Sequence, residues 1–192
     1  MRAEFTGDPL TDAEIEELLQ AAHAAPSVGN SQPWDFIVVR DPKILGSFAD
    51  HVAGCRQDYA DSLDEERRAT FNPIKIEGIR ESGLGIVATY DPTRSGPNVL
   101  GRHTIDEAGV FSVVCAIQNL WLMATAHDIG VGWVSFYKEP FLKELLGLPS
   151  HVRPVGWLCV GKVTKFQETP DLVRFGWNSR VPLEDVIHHD RW

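Results

Sequence analysis

The stretch "AAPSVGNSQPWDFIVV", residues 24–39, joins a helix-forming pattern to a strand-forming one. Before it, the segment from Thr11 to Ala25 has Thr11 in the N-cap position, Glu14 as a capping-box partner, and apolar side chains at helical spacing. At its end, Phe36 to Val39 form an unbroken apolar run, which is typical of a strand buried on both faces. The stretch therefore predicts a helix and a buried strand that are connected by a short junction.

The junction carries more hydrogen-bonding side chains than a turn requires. Turn chemistry accounts for Pro26, Gly29 and Pro33. It does not account for the polar residues between them, which are Ser27, Asn30, Ser31 and Gln32. Because glycine lets a ligand approach the backbone and these side chains offer donors and acceptors, the junction predicts a site for a polar, planar ligand.

The rest of the chain predicts an α+β domain. Helical patterns run from Ile44 to about Ala53 and over residues 140–148, and strand patterns occupy Gly83–Tyr90, Gly130–Phe136 and Pro154–Gly161. With no internal repeat and a mixed order of helices and strands, we expect a single domain, residues 1–192, around one sheet. A hydrophobic content of 43% in 192 residues is enough for one core.

The longest periodic segment, Ile105 to Asp128, leaves little polar surface on any side. Such a helix must be buried almost completely. In a chain this short the simplest cover is a partner subunit, so we expect a homodimer.

Residues 55–71, "CRQDYADSLDEERRATF", alternate in charge and contain few large aliphatic side chains. One interpretation is a solvated helix with exposed ion pairs, which the pattern favours. The other is a mobile lid over a pocket, a lid-like insertion of about 55–75 that is anchored by Tyr59 and Phe71. The sequence alone does not decide between them.

The overall charge and the cysteines exclude several classes of function. The formal net charge is -9, from 27 acidic and 18 basic residues, which argues against binding to nucleic acid or to an anionic membrane. The three cysteines lie far apart without metal-ligand spacing, so we expect neither a disulfide framework nor a metal site. The first residues lack the apolar core of a secretory signal, and no apolar run is expected to span a bilayer. The expected location is the cytoplasm.

Several strings, taken in order, carry a family resemblance. "APSVGNSQPWDFIVV" is similar to the Pro-Ser-x-x-Asn-x-Gln-Pro-Trp segment of the nitroreductase superfamily of FMN-binding homodimers. Five further strings, "KIEGIRES", "GRHT", "CAIQNLWLMA", "GVGWVSF" and "HHDRW", resemble one branch, the BluB-type 5,6-dimethylbenzimidazole synthases. The resemblance runs from Arg2 to Trp192, and five strings with compatible spacing are far more specific than one.

The resemblance implies a nitroreductase-like FMN-binding fold, α+β with a central mixed sheet flanked by helices, in which two intertwined subunits hold FMN at their interface. In this branch reduced FMN is the substrate. Dioxygen adds to the flavin and the ring system is cut apart, giving 5,6-dimethylbenzimidazole, the lower ligand of vitamin B12, and erythrose 4-phosphate. A separate flavin reductase would supply the reduced FMN, because the chain has no GxGxxG segment for a dinucleotide domain.

The resemblance also implies contacts to the cofactor. At the junction, Ser27 and Gln32 are expected to touch the flavin or its ribityl chain, with Asn30 as a further neighbour. Arg180, in "NSRVP", corresponds to a late basic residue that binds the FMN phosphate, a task suited to a guanidinium. Arg2 aligns with an arginine of the N-terminal cofactor-binding string.

Ser135, in "GWVSF", matches a serine placed near the flavin ring and is the candidate catalytic residue. Its hydroxyl can donate to a flavin nitrogen or to a peroxide oxygen, which would stabilise a developing anion. Gly132 and Trp133 would shape that wall of the site. Without the resemblance, Ser135 would be interpreted as a small strand residue whose hydroxyl is satisfied by the backbone.

Other conspicuous residues receive ordinary interpretations. His103 is expected to be a hydrogen-bonding loop residue, and His188 and His189 are expected to lie on the surface, since no second cluster at metal spacing accompanies them. Glu77 and Arg80 are expected to form a helical ion pair.

The chain departs from the branch at its beginning. The branch carries Arg-Arg-Asp, one variable residue, and then Arg with a nearby Phe, whereas this sequence begins "MRAEF". Arg2 and Phe5 align, so two phosphate-holding arginines and a catalytic aspartate would precede residue 1. Either the reading frame begins upstream or this homologue lacks them. We expect the first, with Arg-Arg-Asp encoded directly before Met1.

Two alternative functions stand beside the synthase. An ordinary nitroreductase or flavin reductase would keep its FMN and take hydride from NAD(P)H. A non-catalytic dimer that binds flavin weakly, for storage or regulation, would follow if the Arg-Arg-Asp is truly absent.

Overall fold

A computed structural model describes residues 3–192 and bears out most of the predicted elements. The strands are β1 (Ala3–Phe5), β2 (Trp34–Val39), β3 (Gly85–Tyr90), β4 (Ile129–Val134) and β5 (Arg153–Phe166). The helices are α1 (Asp12–His23), α2 (Pro42–Ser62), α3 (Glu65–Phe71), α4 (Ile79–Ser82), α5 (Ala108–Ala126), α6 (Glu139–Leu146) and α7 (Asp171–Arg174). The largest difference in bounds is α2, which continues past the predicted end near Ala53 to Ser62.

The five strands form one sheet with the long strand β5 at its centre. The order is β1-β5-β3-β2, and β4 pairs with the other edge of β5. The α+β class with a central sheet flanked by helices is confirmed, and every pairing within residues 3–192 is antiparallel. Because Val134 lies opposite Trp157, the residues that follow β4 leave the sheet beside the middle of β5.

Strand β2 packs on both faces, as expected, but its burial is incomplete: Phe36 packs against the core that includes residues of α1 and α5, and Ile37 against the core that includes residues of α2 and α6. It pairs with β3 alone among the described strands, and Val38 is 37% exposed. Strand β3 is buried more completely, and its alternate residues also enter the two cores. Ile86 packs in a core that includes residues of α1 and α5, whereas Val87 packs in a second core that includes residues of α2 and α6.

The capping box predicted for α1 is confirmed. The Thr11 hydroxyl accepts a hydrogen bond from the Glu14 N–H at 3.2 Å, and the Glu14 carboxylate accepts from the Thr11 N–H at 2.7 Å. These hydrogen bonds lower the pKa of Glu14, because they favour its charged form. The start of the helix is therefore determined by residues within one turn of each other.

Helix α5 has one covered and one open face. Val113, Ile117 and Leu120 are fully buried, whereas Phe111 and Leu122 are 57% and 60% exposed. One chain covers only one face of the helix, so the expected burial of the other face by a partner subunit stays a prediction. By length and composition alone, α5 is also the one helix of residues 3–192 that could cross a membrane, contrary to the expectation of no such run. Its buried face packs in the core with residues of α1 and the sheet.

The segment 55–71 is helical, but its arginines do not form the exposed ion pairs of the favoured interpretation. Arg68 donates to the carbonyl oxygens of Ala60 and Leu63, at 2.8 and 3.1 Å, and so caps the end of α2. Arg56 donates to the carbonyl oxygens that follow α3. Phe71, one of the two predicted anchors, is buried.

The ion pair predicted between Glu77 and Arg80 is wrong. Helix α4 begins only at Ile79, so Glu77 does not lie on a helix with Arg80. Its carboxylate accepts a hydrogen bond from the Ile79 N–H at 2.9 Å. Arg80 instead pairs with Asp50 of α2, at 2.6 Å.

Candidate functional site

A cavity of about 560 Å³ lies beside the end of β4. Its walls come from β1, from residues 74–78, from β4 and the residues after it, and from residues 170–172, with one side chain from α5. Aromatic rings form much of the lining, which includes Phe5, Trp121, Trp133 and Phe136. The cavity is therefore suited to a flat, largely apolar ligand.

Three of the predicted site residues, Gly132, Trp133 and Ser135, line this cavity. Ser135 follows the last residue of β4 and is exposed in the single chain. Trp133 is half-buried, and a methyl group at Gly156 would lie 2.3 Å from its indole nitrogen, so Gly156 makes room for the ring. Beside Gly132 the space is open, since a Cβ there would meet a single described atom within 4 Å, the Cβ of Cys159 at 3.9 Å.

The charged groups of the cavity are mostly acidic. Within residues 3–192 the lining contains one amine, that of Lys75, and the carboxylates of Glu4, Glu77, Glu81 and Asp171. The amine forms an ion pair with Glu81, and Asp171 pairs with Arg174 at 3.3 Å. This lining offers no cluster of cations for a phosphate group.

The segment 74–78 is the main part of the cavity that the sequence analysis did not assign to the site. The string "KIEGIRES" is a family signature and contains the predicted Glu77–Arg80 pair, but neither feature indicates that its first four residues line the cavity. The long-range packing that places it there leaves no periodic signal. A methyl group at Gly78 would lie 2.7 Å from the ring of Phe5, so the glycine lets β1 pack against this segment.

The junction between α1 and β2 forms a compact turn with left-handed backbone. Gly29, Asn30 and Gln32 have φ angles of 55°, 52° and 45°. The Ser27 hydroxyl accepts a hydrogen bond from the Gln32 N–H at 3.0 Å, and the Gln32 amide donates to the Asn30 side chain at 3.3 Å. Non-glycine residues in this conformation persist only where surrounding contacts hold them, and they cluster at functional sites.

Residues distant in sequence hold the junction in place. The buried Ser112 hydroxyl of α5 accepts from the Val28 N–H at 3.0 Å and donates to the Ala108 carbonyl at 2.7 Å. A Cβ at Gly29 would lie 2.8 Å from both the nitrogen and the oxygen of Leu100. The junction is therefore wedged between α5 and the loop before it.

The structure does not bring all the predicted site residues together within one chain. Ser27, Asn30 and Gln32 do not line the cavity that contains Ser135. Arg180 also lies outside the lining, in the exposed C-terminal segment. Arg2 lies outside the described residues.

Two ionisable groups near the cavity are held in their neutral forms. Burial raises the pKa of the Cys159 thiol to about 12. Burial also raises the pKa of the Tyr137 hydroxyl above its usual value, with a further contribution from the charge of Glu139. Neither group is therefore an anionic nucleophile or base near neutral pH.

The lining fits the ring system of a flavin better than its phosphate. The cavity volume lies within the range of roughly 300–1,000 Å³ of small-molecule sites. Its aromatic walls offer stacking surfaces, and the Ser135 hydroxyl can donate to a ring heteroatom. A phosphate would need cations from outside the lining that residues 3–192 provide.

Comparison with known proteins gives the same family at the level of sequence and fold. A profile of the nitroreductase family matches residues 1–162. A 5,6-dimethylbenzimidazole synthase of Rhodospirillum rubrum is 37% identical over 178 residues, which cover 93% of this chain and 84% of that protein. A putative NADH dehydrogenase/NAD(P)H nitroreductase of Archaeoglobus fulgidus is 30% identical over 195 residues, covering 98% of this chain and 91% of that protein.

The solved structures agree with this assignment. A BluB-like flavoprotein from Clostridium difficile superposes with a TM-score of 0.72 at 18% identity, covering 100% of this chain and 95% of that one, which shows a shared fold. A putative NADH dehydrogenase/NAD(P)H nitroreductase from Parabacteroides distasonis has a TM-score of 0.66 at 25% identity, covering 98% and 91%. On the family profile, the sequence similarity and the fold together, this chain belongs to the nitroreductase family.

Proposed function

We propose that this protein is a 5,6-dimethylbenzimidazole synthase, which uses dioxygen to fragment reduced FMN into 5,6-dimethylbenzimidazole and erythrose 4-phosphate. The observation that carries the proposal is the similarity, over 93% of this chain, to a protein of that name that is 37% identical. Two further proteins with the same name are 30% and 27% identical over 94% of this chain. Membership of the nitroreductase family implies flavin binding, and the aromatic cavity beside β4 fits the flavin ring.

The complete site requires two copies of the chain in this proposal. The junction residues and the cavity residues are separate within one chain, although the family resemblance assigns both to the same cofactor. The open apolar face of α5, with Phe111, Val114 and Leu122, is the surface that a second copy would cover. An intertwined homodimer would place the junction of one subunit against the cavity of its partner.

Each part of the chain then has a separate task. Phe5, Trp133 and Phe136 would pack on the ring and exclude water, because an apolar, enclosed site strengthens electrostatic interactions. Ser27, Asn30 and Gln32 would bind the polar edge of the flavin or its ribityl chain. Arg2 and Arg180 would bind the phosphate, which the acidic cavity lining does not do.

Ser135 is the catalytic residue of the proposal. Reduced FMN supplies the electrons and dioxygen the oxidant, so the chain's own contribution is a fixed donor at the point where negative charge develops. Ser135 lines the cavity directly after β4, a strand that is paired with the central strand β5 along its whole length. A donor that is anchored next to a paired strand would stabilise developing charge with little reorganisation. Reduced FMN would come from a separate flavin reductase.

A second candidate is an NAD(P)H-dependent nitroreductase or flavin reductase. The Archaeoglobus fulgidus relative, whose name gives that activity, is 30% identical over 98% of this chain. In this case FMN would remain bound and be reduced repeatedly by hydride from NAD(P)H.

The test supplies the full chain with FMN, NADPH, a separate flavin reductase and air, and then measures 5,6-dimethylbenzimidazole by mass spectrometry. We expect the product to form and flavin to be consumed. Ser135→Ala should slow product formation by about 10²-fold, the typical effect of removing one such donor. Ser150→Ala, an exposed serine outside the cavity, is the matched control and should leave the rate unchanged.

The rival functions give different results in the same assay. NAD(P)H consumption without the added reductase and without loss of flavin would favour the nitroreductase. Simple reoxidation of reduced FMN, with full recovery of the yellow flavin, would favour a non-catalytic flavin-binding dimer. Either result in the wild type would refute the synthase.

A further inference from the structure

Trp177, from the segment after β5, packs into an aromatic cluster that borders the cavity. We define this cluster as Tyr59, Phe71, Phe136 and Trp177. The centroid of the Trp177 ring lies 5.9 Å from that of Phe71 and 6.4 Å from that of Tyr59. Tyr59 also lies edge-on to Phe71 at 5.1 Å and to Phe136 at 5.5 Å. The cluster therefore joins α2, α3, the residue after Ser135, and the C-terminal segment.

An arginine of α3 strengthens the attachment of Trp177. The guanidinium carbon of Arg67 lies 4.4 Å from the Trp177 ring centroid, and Arg67 donates a hydrogen bond to the Trp177 carbonyl oxygen at 3.3 Å. A second arginine, Arg56, lies over the Phe71 ring at 4.8 Å and donates to the carbonyl oxygens of Asn72 and Ile74. Ile74 begins the cavity wall formed by residues 74–78.

The position of Trp177 is coupled to another wall of the cavity. The Trp177 N–H donates to the Leu172 carbonyl at 2.8 Å, and the Phe175 N–H donates to the Asp171 carbonyl at 2.9 Å. Asp171 and Leu172 line the cavity, and Asp171 is buried. Since these hydrogen bonds close a compact turn between residues 171 and 177, fixing Trp177 also fixes the cavity wall.

We propose that Trp177 is a positioning residue that latches the C-terminal segment to α2 and α3, and so holds residues 170–172 and the segment 74–78 in place as walls of the cavity. The inference rests on the proposed function, because it takes reduced FMN as the occupant. Ser135 is exposed in the single chain, and its neighbour Phe136 belongs to the cluster. The latch therefore holds the walls beside Ser135 and limits the access of water to the reacting flavin from that side, and Trp177 acts through the walls rather than by touching the substrate.

The latch determines how reduced FMN is partitioned between two products in air. In the covered site it is fragmented to 5,6-dimethylbenzimidazole. In an opened site reduced FMN transfers two electrons and two protons to dioxygen, giving oxidised FMN and hydrogen peroxide. Opening the latch thus lowers the yield of 5,6-dimethylbenzimidazole per reduced FMN consumed and raises the yield of hydrogen peroxide.

The test compares Trp177→Ala with Trp177→Phe, which keeps an aromatic ring, and with Trp192→Ala, a fully exposed tryptophan in the same segment. Hydrogen exchange is first measured on the protein without flavin. Trp177→Ala should speed exchange in peptides covering 167–178 by about tenfold, as loss of aromatic and cation–π contacts shifts local opening. Trp177→Phe should restore most of the protection, and Trp192→Ala should match the wild type.

The second measurement is the ratio of 5,6-dimethylbenzimidazole to hydrogen peroxide formed. When variants are compared at equal concentrations of folded protein, loss of a residue with only a structural role would not change this ratio. Trp177→Ala should lower this ratio by about fivefold or more, in line with the faster opening. Arg67→Met, on the exposed surface of α3, provides a second variant with a smaller effect if Trp177→Ala fails to fold. Unchanged exchange in both variants, or faster exchange with an unchanged product ratio, would overturn the latch. A wild type that forms no product would refute the proposed function instead, and hydrogen exchange would still test the latch.

Discussion

The substitution Gly29→Ala tests whether the junction between α1 and β2 is part of the flavin site. Gly29 has a φ of 55°, and its Cβ would lie 2.8 Å from both the nitrogen and the oxygen of Leu100. These are backbone atoms, which cannot move aside as the end of a flexible side chain can. The substitution must therefore shift either the junction or the loop that contains Leu100.

Two costs add in Gly29→Ala. The left-handed conformation costs an alanine about 1–2 kcal/mol. Overpacking against fixed neighbours typically costs about 1–3 kcal/mol more. We therefore expect a loss of about 2–5 kcal/mol in the free energy of unfolding, which in a protein of this size lowers Tm by about 4–20 °C.

The matched control is Gly147→Ala at the end of α6. Gly147 has a similar φ of 64°, but no described atom lies within 4 Å of its Cβ. This control therefore carries the conformational cost alone, about 1–2 kcal/mol. Urea denaturation of both variants at one protein concentration gives the difference, and FMN titration of the folded proteins gives the effect on the site.

Flavin affinity is the decisive readout. If the junction contacts the cofactor, Gly29→Ala weakens FMN binding well beyond Gly147→Ala, even where both variants are fully folded. Equal losses of stability in the two variants would refute the steric argument. A destabilised Gly29→Ala protein with wild-type affinity for FMN would refute the assignment of Ser27, Asn30 and Gln32 to the site.

Two further predictions concern the cavity and its support. Gly132→Val should change the free energy of unfolding by less than about 1 kcal/mol, because the space beside Gly132 is open and valine favours a strand. It should nevertheless lower the affinity for FMN at least about tenfold, because the side chain would fill part of the cavity. A wild-type affinity in an FMN titration would contradict the placement of Gly132 in the flavin site. Burial, with a contribution from the charge of Lys138, lowers the pKa of His51 below 6.5, and His51 Nε2 accepts the Lys138 N–H at 3.0 Å. The unfolded chain therefore binds a proton at His51 more readily than the folded chain does. The contribution of neutral His51 to the free energy of unfolding is complete above pH 6.5 and is lost as the pH falls through the folded-state pKa. Urea denaturation between about pH 7.5 and pH 5 should show a smaller pH dependence in His51→Gln, and an equal slope would contradict the assignment.

Short-range patterns were predicted correctly because their energetics are local. The Thr11–Glu14 capping box closes within one helical turn, so adjacent residues specify it completely. The strands around Val87, Val131 and Trp157 were found from apolar runs, because burial on a sheet requires such residues wherever the sheet lies. The family strings added Gly132, Trp133 and Ser135, which the fold places in one cavity.

The predictions that the structure contradicts concern contacts with residues that are distant in the sequence. Arg80 was paired with Glu77 by spacing, but α4 begins too late and Asp50 of α2 lies in reach. The apolar run of β2 correctly indicates packing on both faces, but Val38 is still 37% exposed because the cover depends on distant parts of the chain. The arginines of the 55–71 segment bind main-chain carbonyls that no charge pattern reveals.

The sequence by itself determined the α+β class, the family, and the serine that follows β4, because capping, hydrophobic period and motif order are properties of neighbouring residues. Only the tertiary structure placed Lys75–Gly78 on the cavity, wedged Gly29 against Leu100, and brought Trp177 to Arg67 and Phe71. Several of these contacts join residues that are far apart in the sequence, as Arg67 and Trp177 are at 110 positions. Their energies depend on the packing of the whole chain, so these contacts cannot be predicted from a local sequence pattern.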